Sequence, residues 1–191
     1  MPPRTKATKE EITGAAVALV RQEGPGALNA RALARRLGTS TQPIFSNFAS
    51  MEALNAEVLA YAENLYQQFF REELAREKYP PYKASGMAYI RFARQERELF
   101  KLQFMRDRRG QDTSGRGSAA YEPIMEMIRK NTGLDTRNAE LLHLEMWAGV
   151  HGIAAMVATD YMDLSDELVS ELLTDLYQGL LHRFTGKGAC K

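Results

Sequence analysis

Several features that metal, redox and catalytic sites need are scarce in this chain of 191 residues. Its single cysteine, Cys190, excludes an intramolecular disulfide and a zinc site built on cysteines. The three histidines, His143, His151 and His182, have no cysteine or paired carboxylate at ligand spacing. We therefore expect no metal, no cofactor and no enzymatic activity.

Long apolar runs are also missing. No stretch reaches about eighteen consecutive apolar residues, the length that spans a bilayer. The first residues, MPPRTKATKEE, lack the apolar segment of a secretory signal. Because 45% of residues are hydrophobic, the chain can still bury a core. We expect a cytoplasmic protein with no membrane partner.

No segment has the alternating pattern of a β-strand, and there is no internal repeat. Apolar residues instead recur at spacings of three and four, which predicts an all-α fold of about nine helices. The main helical segments are predicted from Thr8 to about residue 22, from Asn29 to Gly38, from about Ser40 onward, and over residues 50–78, 83–105, 119–131, 136–160 and 165–185. The polar, arginine-rich stretch 106–118 is interpreted as a solvated loop, with a second nucleic-acid patch as the alternative.

The net charge of +1 hides an asymmetry along the chain. Residues 1–50 hold seven Lys or Arg against three Glu, whereas residues 135–185 hold nine acids against two bases. Only the first part is therefore suited to a polyanion, and the acidic part should lie away from it. The N-terminal bases are Arg4, Lys6, Lys9, Arg21, Arg31, Arg35 and Arg36.

Residues 37–51, LGTSTQPIFSNFASM, carry no formal charge and directly follow Arg35 and Arg36. The stretch is either a polar turn or a surface that recognises another molecule. Proline is tolerated only in the first turn of a helix, so Pro43 requires a helix that starts near Ser40, which we expect as its N-cap, with Pro43 at the third helical position. Ile44, Phe45 and Phe48 then fall on roughly one apolar side.

Two short helices joined by LGTS, opened by Asn29 and Ser40, and covered by a preceding helix, indicate a helix-turn-helix. The second helix of such a unit enters the major groove, where neutral amides and hydroxyls can pair with base edges. We expect the base contacts from Thr41, Gln42, Ser46 and Asn47 and the phosphate contacts from Arg4, Lys6, Arg31 and Arg35. The alternative is a three-helix unit packed for structure only.

Residues 8–54 resemble the N-terminal DNA-binding domain of TetR-type transcriptional regulators. The similarity rests on the Ile12, Ala15, Ala16 and Leu19 face, Glu23-Gly24, ALARRLG at 32–38, Ser40, Phe45, Phe48 and Glu52-Ala53-Leu54. The resemblance implies an all-helical homodimer. Each subunit would have a small DNA-binding domain and a larger, variable domain that binds a small ligand. We assign residues 6–66 to the helix-turn-helix domain and residues 67–191 to the ligand-binding and dimerisation domain.

Two positions of the DNA-binding segment depart from the family pattern. Phe45 stands where a tyrosine hydroxyl usually touches the DNA backbone, and Met51 stands where a lysine is usual. Both changes should reduce the electrostatic share of affinity, although the start of the fourth helix still offers backbone N–H groups to a phosphate. Further candidates for the DNA-binding surface are Asn29, Ser40, Pro43, Phe45 and Met51.

Residues 146–157, MWAGVHGIAAMV, resemble the Trp…His-Gly segment of some TetR-type C-terminal domains. Trp147 and His151 share a helix face. They either line a ligand cavity with other aromatic and methionine side chains or simply pack the core. The remaining candidates for the cavity are Phe100, Phe104, Tyr121 and Met125. By family expectation, the ligand is small and hydrophobic.

The last predicted helix carries two apolar rows. It is therefore either central to its own core or packed inward on one row and against a partner chain on the other. We expect a dimer interface on the row Leu168, Leu172, Leu176 and Leu180. The function predicted is a ligand-released repressor that binds a palindromic operator as a homodimer; the alternative is a helical ligand-binding or interaction protein whose DNA recognition is weak or lost.

Overall fold

The computed structural model describes residues 7–107 and 121–186. Over these residues the fold is all-α, which confirms the predicted class. Nine α-helices and one short 3-10 helix, Pro25–Ala27, occur there. The α-helices are α1 Lys9–Glu23, α2 Ala30–Leu37, α3 Gln42–Asn47, α4 Met51–Ala75, α5 Pro81–Gln95, α6 Arg97–Phe104, α7 Tyr121–Thr132, α8 Thr136–Ala158 and α9 Asp166–Phe184. Arg4, Lys6, Cys190 and most of the predicted loop 106–118 lie outside the described residues.

Helix α1 begins where the sequence predicts. The Thr8 hydroxyl accepts a hydrogen bond from the Glu11 backbone N–H, and the Glu11 carboxylate accepts one from the Thr8 N–H. This reciprocal pair satisfies two amide groups that a helix start leaves without intrahelical partners. Helix α2 likewise begins after Asn29, whose side-chain oxygen accepts from the Ala32 N–H at 3.0 Å. It ends at Gly38, whose φ of 63° is the left-handed conformation that glycine adopts without strain.

The predicted start of α3 is wrong by one residue. Thr41, not Ser40, is the residue before the helix, and it makes no side-chain capping hydrogen bond. The Thr41 carbonyl accepts from the Ile44 and Phe45 N–H groups, so the backbone closes the first turn without a hydroxyl cap. Pro43 is therefore the second helical residue, not the third, and still lies where its missing N–H costs nothing.

The region 83–105, predicted as one helical stretch, is two helices. The break is Glu96, with φ −124° and ψ 50°, between α5 and α6. No glycine or proline marks it in the sequence. The two carboxylate oxygens of Glu96 instead accept hydrogen bonds from Arg21 of α1, both at 2.7 Å. A tertiary contact, which helix propensity does not encode, therefore accompanies this break.

The chain forms two compact units. The first runs to Gln67 and includes Gln95–Arg106, and the second comprises Gln68–Arg94 and the described residues from Asp107 onward. Helix α4 begins in the first unit and ends in the second. The first unit thus holds α6 in addition to the three N-terminal helices. The predicted division of function at residues 66 and 67 stays a prediction.

The first unit has its core between α1, α2, α3, the start of α4, and α6. These helices bury Ile12, Leu19, Leu33, Ile44, Phe48, Leu54, Leu99 and Phe100. In the second unit, α7 and α8 share the buried cluster Met125, Ile128, Ala139, Leu142 and Met146, against which one side of α9 packs. Burial of these faces supplies most of the driving force for the fold.

Helix α8 is, among the described residues, the one helix long and apolar enough to cross a bilayer by length and composition. Within α8, Leu142 and Ala154 are fully enclosed by protein, whereas Leu144 and Trp147 are exposed. An apolar core helix passes the same test as a membrane span.

Candidate nucleic-acid interface

Helices α2 and α3 form the helix-turn-helix of the first unit. Helix α1 packs against both, and Leu33 of α2 and Ile44 of α3 are fully buried. Because Ile44 and Phe48 are four residues apart, they lie on the same side of the short α3, and both are buried. This anchored side leaves the opposite side of α3 facing solvent.

The exposed side of α3 carries Gln42, Phe45, Ser46 and Asn47. The expectation that Phe45 packs with Ile44 and Phe48 is wrong, since half of its surface is exposed. A helix turns by about 100° per residue, so a side chain next to the buried Ile44 is directed away from the core. Phe45 is thus an exposed apolar side chain among neutral polar ones.

The polar side chains of α3 differ in their hydrogen bonding. The Ser46 hydroxyl donates to the Gln42 carbonyl at 2.9 Å, within the helix. The Asn47 amide nitrogen donates to the Pro43 carbonyl at 2.8 Å and to the Ala7 carbonyl at 3.2 Å. Among the described residues, no side-chain hydrogen bond engages the Gln42 amide. Gln42 is therefore the α3 side chain most available for a base edge.

The basic residues around α3 are solvent-exposed. Arg31 and Arg35 on α2 extend into solvent, and Arg36 donates to Gln22 of α1 at 2.7 Å. Asn29 is occupied by local structure, because its amide caps α2 and donates to the Ala27 carbonyl. Phosphate contacts of the exposed Arg31 and Arg35 stay a prediction, whereas Asn29 shapes the turn.

At the start of α4, Met51 is partly exposed and has the polar neighbours Ser50 and Glu52. The Ser50 hydroxyl accepts from the Ala53 N–H at 3.3 Å, which caps the helix. A hydrogen bond with Ser50 lowers the pKa of the Glu52 carboxyl, so this group is anionic at neutral pH. Near a phosphate, that charge opposes the favourable helix dipole.

The predicted ligand residues occupy several different environments. In the first unit, Phe100 is fully buried and packs on Phe104, with ring centroids 5.2 Å apart. In the second unit, Tyr121 donates to the Glu140 carboxylate and packs with Met125 on the α7–α8 cluster. A ligand role for these residues stays a prediction.

Trp147 and His151 of α8 stack on each other, with ring centroids 5.0 Å apart and an interplanar angle of 11°. Trp147 is 47% exposed, so it is not the core filler that the packing alternative supposes. The His151 Nδ1 lies 2.9 Å from the Tyr89 hydroxyl of α5. His143 repeats this arrangement with Tyr82 at 3.0 Å.

Sequence reasoning missed these two tyrosine–histidine pairs. A signal was present, because Tyr82 and Tyr89 are seven residues apart and His143 and His151 are eight apart. Both spacings are about two helical turns, so two helices side by side can form two parallel contacts. Burial lowers the pKa of both histidines, which favours their neutral forms.

The predicted dimer row on α9 divides into two halves. Leu168 and Leu172 are 42% and 40% exposed, whereas Leu176 and Leu180 pack against the α7–α8 cluster. The neighbouring row, with Val169 and Leu173, is buried. Helix α9 therefore turns one row inward and leaves the first half of the other uncovered.

The described part of the chain contains no group of three His, Cys, Asp or Glu side chains that could hold a metal ion.

Comparisons with known proteins agree with the helix-turn-helix geometry. Residues 12–58 match the family model described as bacterial regulatory proteins, tetR family, and residues 82–179 match that of the tetracyclin repressor-like C-terminal domain. An uncharacterised HTH-type transcriptional regulator of Mycobacterium tuberculosis, Rv0681, is 26% identical over 96% of this chain and 86% of its own length.

The crystal structure of a candidate transcriptional regulator from Pseudomonas aeruginosa PAO1 superposes with a TM-score of 0.59, covering 91% of each chain at 17% identity. At this identity the likeness shows the fold alone. The two family models together match both the helix-turn-helix and most of the second unit. The chain belongs to the TetR family of DNA-binding transcriptional regulators.

Proposed function

We propose that this regulator is a cytoplasmic homodimeric repressor that binds a palindromic operator and is released by a small apolar effector. The observation that carries the proposal is an exposed apolar surface on α8 and α9, which a second copy of the chain would cover. We call it the α8–α9 surface and define it by Leu144, Trp147, Leu168 and Leu172, each at least 40% exposed.

The register of α8 and α9 determines where the exposed apolar residues lie along this helix pair. Gly149 of α8 lies against Leu176 of α9, and Glu145 pairs with Arg183 at 2.8 Å. Residue numbers rise along one helix as they fall along the other, so the helices are antiparallel. By this register, Leu144 and Trp147 lie beside the C-terminal part of α9, and Leu168 and Leu172 lie beside the C-terminal part of α8. Gly152, which has open space where a Cβ would stand, would let a partner helix approach closely.

The proposal moves Trp147 from the ligand site to the dimer surface. Monomeric proteins rarely leave large apolar patches uncovered, and Trp is enriched at protein interfaces. A dimer formed through this surface would contain two helix-turn-helix units. Both α3 helices reach the same face of the duplex if the half-sites are about 34–36 Å apart.

We assign base reading to α3 and phosphate contacts to the arginines of α2. Gln42 carries the strongest expectation, because its amide is exposed and can pair with an adenine edge through both its N–H and its oxygen. Thr41 and Ser46 supply adaptable hydroxyls. Arg31 and Arg35, together with Arg4 and Lys6, would supply attraction that does not depend on sequence.

We assign the effector to the second unit, near α7. Met125 and Met146 belong to its core cluster, with Tyr121 at the edge. Methionine side chains adapt to irregular apolar molecules, and Tyr121 adds a hydroxyl that can orient one. An effector that binds better to a conformation with a different separation of the two α3 helices would shift the population away from DNA.

The test is the oligomeric state together with DNA binding. Leu172→Glu places a charge on the α8–α9 surface, whereas the control Glu171→Gln changes the exposed neighbouring side chain. We expect the wild type and Glu171→Gln to sediment as dimers and to bind a two-half-site duplex, and Leu172→Glu to sediment as a monomer with at least tenfold weaker binding. A dimeric Leu172→Glu with wild-type affinity would contradict the proposal.

A duplex with five base pairs inserted between the half-sites provides a second test, because half a helical turn rotates one half-site to the opposite face. We expect at least a tenfold loss of affinity. Wild-type binding that does not depend on salt or on sequence would instead favour a helical interaction protein, the class suggested by Phe45 and Met51.

A further inference from the structure

We infer that Asn47 is a positioning residue that holds the start of α1 against the exposed end of α3, and that it does not read a base. The inference rests on the proposed role of α3 as the DNA-reading helix. Asn47, which the sequence predicts to contact a base, is instead assigned to positioning α1 against α3.

The hydrogen bonds of Asn47 determine the orientation of its amide. Both partners, the carbonyls of Pro43 and Ala7, can only accept, so they require the amide nitrogen and use both of its hydrogens. A bidentate pair with adenine needs one of those hydrogens and the side-chain oxygen. Asn47 would have to give up a bond to the protein to read a base, whereas Gln42 would not.

The contact between Asn47 and Ala7 lies next to the start of α1. Ala7 immediately precedes Thr8, the N-cap of α1. The first residue of α1, Lys9, forms an ion pair with Glu57 of α4, and its ammonium group lies 5.5 Å from the centroid of the Phe48 ring. These two contacts hold α1 to α4 and to the buried side of α3. The Asn47 amide adds a direct bond from the exposed end of α3 to the backbone before α1.

Two basic residues stand close to Ala7 in the sequence. Lys6 and Arg4 precede Ala7 by one and three positions in the sequence. The Asn47 bond fixes the Ala7 carbonyl next to α3. Their attraction for phosphates is independent of sequence. Loss of the Asn47 bond should therefore weaken binding to every duplex by the same factor, roughly three- to tenfold, and should reduce the salt dependence.

The experiment compares Asn47→Ala with Gln42→Ala in the full-length protein. The probes are a duplex selected by the wild type from a randomised pool and a shuffled duplex of the same composition. We expect Asn47→Ala to weaken both complexes equally and Gln42→Ala to weaken mainly the selected one. In an Arg4→Ala, Lys6→Ala background, Asn47→Ala should have less than a twofold effect, because the groups that it positions are gone.

A measurement on the wild type makes the test independent of how well the variant folds. The side-chain amide resonance of Asn47 should keep its chemical shift when the selected duplex is added, while that of Gln42 moves. A shifted Asn47 resonance, a loss confined to the selected duplex, or full additivity with Arg4→Ala and Lys6→Ala would each overturn the inference. Equal wild-type affinity for both duplexes would contradict the proposed function. In that case the chemical shift of the Asn47 side-chain amide without DNA would still distinguish a hydrogen-bonded side chain from a free one.

Discussion

Arg21 holds Glu96 through two parallel hydrogen bonds, Nε to Oε2 and Nη2 to Oε1, each 2.7 Å long. The pair joins the last turn of α1 to the residue at which α5 gives way to α6. The hydrogen bonds with Glu96 raise the pKa of the Arg21 guanidinium, as expected for a cation held by a carboxylate. Arg21 also lies over the Tyr61 ring at 5.6 Å.

Arg21→Lys should lower the melting temperature of the protein. Lysine keeps the charge but cannot form the two-pronged pair or stack on Tyr61. Because Arg21 is partly exposed, we expect a loss of only about 1 kcal/mol in the free energy of unfolding. Arg36→Lys is the matched control, since Arg36 donates to a neutral amide from an exposed position. An equal effect of both substitutions, measured by denaturant unfolding, would contradict the special role of the Arg21 pair.

Restoring the family pattern at two positions should strengthen DNA binding without changing its specificity. Phe45→Tyr adds a hydroxyl to an exposed ring, and Met51→Lys adds a charge at the start of α4. Each adds about one phosphate contact, so binding should tighten for selected and shuffled duplexes alike. For Met51→Lys, the slope of log affinity against log salt should also steepen by roughly 0.9. Titrations at several salt concentrations check this, and an unchanged slope for Met51→Lys would contradict it.

Gly149 should resist substitution although it lies within a helix. A Cβ at this position would lie 2.4 Å from the Leu176 Cδ2, so the leucine side chain would have to move. Gly14 in α1 is exposed and has open space around its Cβ position. Gly14→Ala should therefore stabilise the protein by about 0.5–1 kcal/mol. Gly149→Ala should lose this gain or destabilise the protein. Equal stabilisation by both substitutions in thermal melts would contradict the close packing.

Stability should fall in mild acid. Burial lowers the pKa of His143 in the folded chain, so the unfolded chain takes up a proton there at higher pH. The free energy of unfolding should therefore decrease as the pH drops through about 6.5 towards the lower folded value. A protonated His143 can no longer accept a hydrogen bond from the Tyr82 hydroxyl. Melting curves from pH 7.5 to 5.5 should show a shallower decline for His143→Gln than for the wild type; a steeper one would contradict this account.

Local signals in the sequence predicted the parts of the fold that depend on neighbouring residues. Thr8, Asn29 and Gly38 mark helix ends through contacts within a few positions, and the structure has all three ends as predicted. The break at Glu96 and the contact from Asn47 to Ala7 depend on residues 75 and 40 positions away. No local pattern reports such partners, so both features required the structure.

The residue types of the candidate site could be predicted from the sequence, but the exposure of individual side chains could not. Charge distribution and spacing identified the helix-turn-helix and its neutral polar surface. They could not tell that Phe45 is exposed on a six-residue helix, where a small difference in register changes which side a ring faces. They also could not divide the α9 leucines into a covered and an uncovered half, because that division depends on which of them meet the α7–α8 cluster.

The most direct test of the account is the affinity of the wild type and of Gln42→Ala for the DNA upstream of the protein's own coding sequence and for a shuffled duplex of the same composition. The account predicts that the wild type prefers the upstream DNA at near-physiological salt, and that Gln42→Ala loses roughly tenfold or more of that affinity while binding shuffled DNA as before. Equal wild-type affinity for the two duplexes would contradict sequence-specific reading by α3.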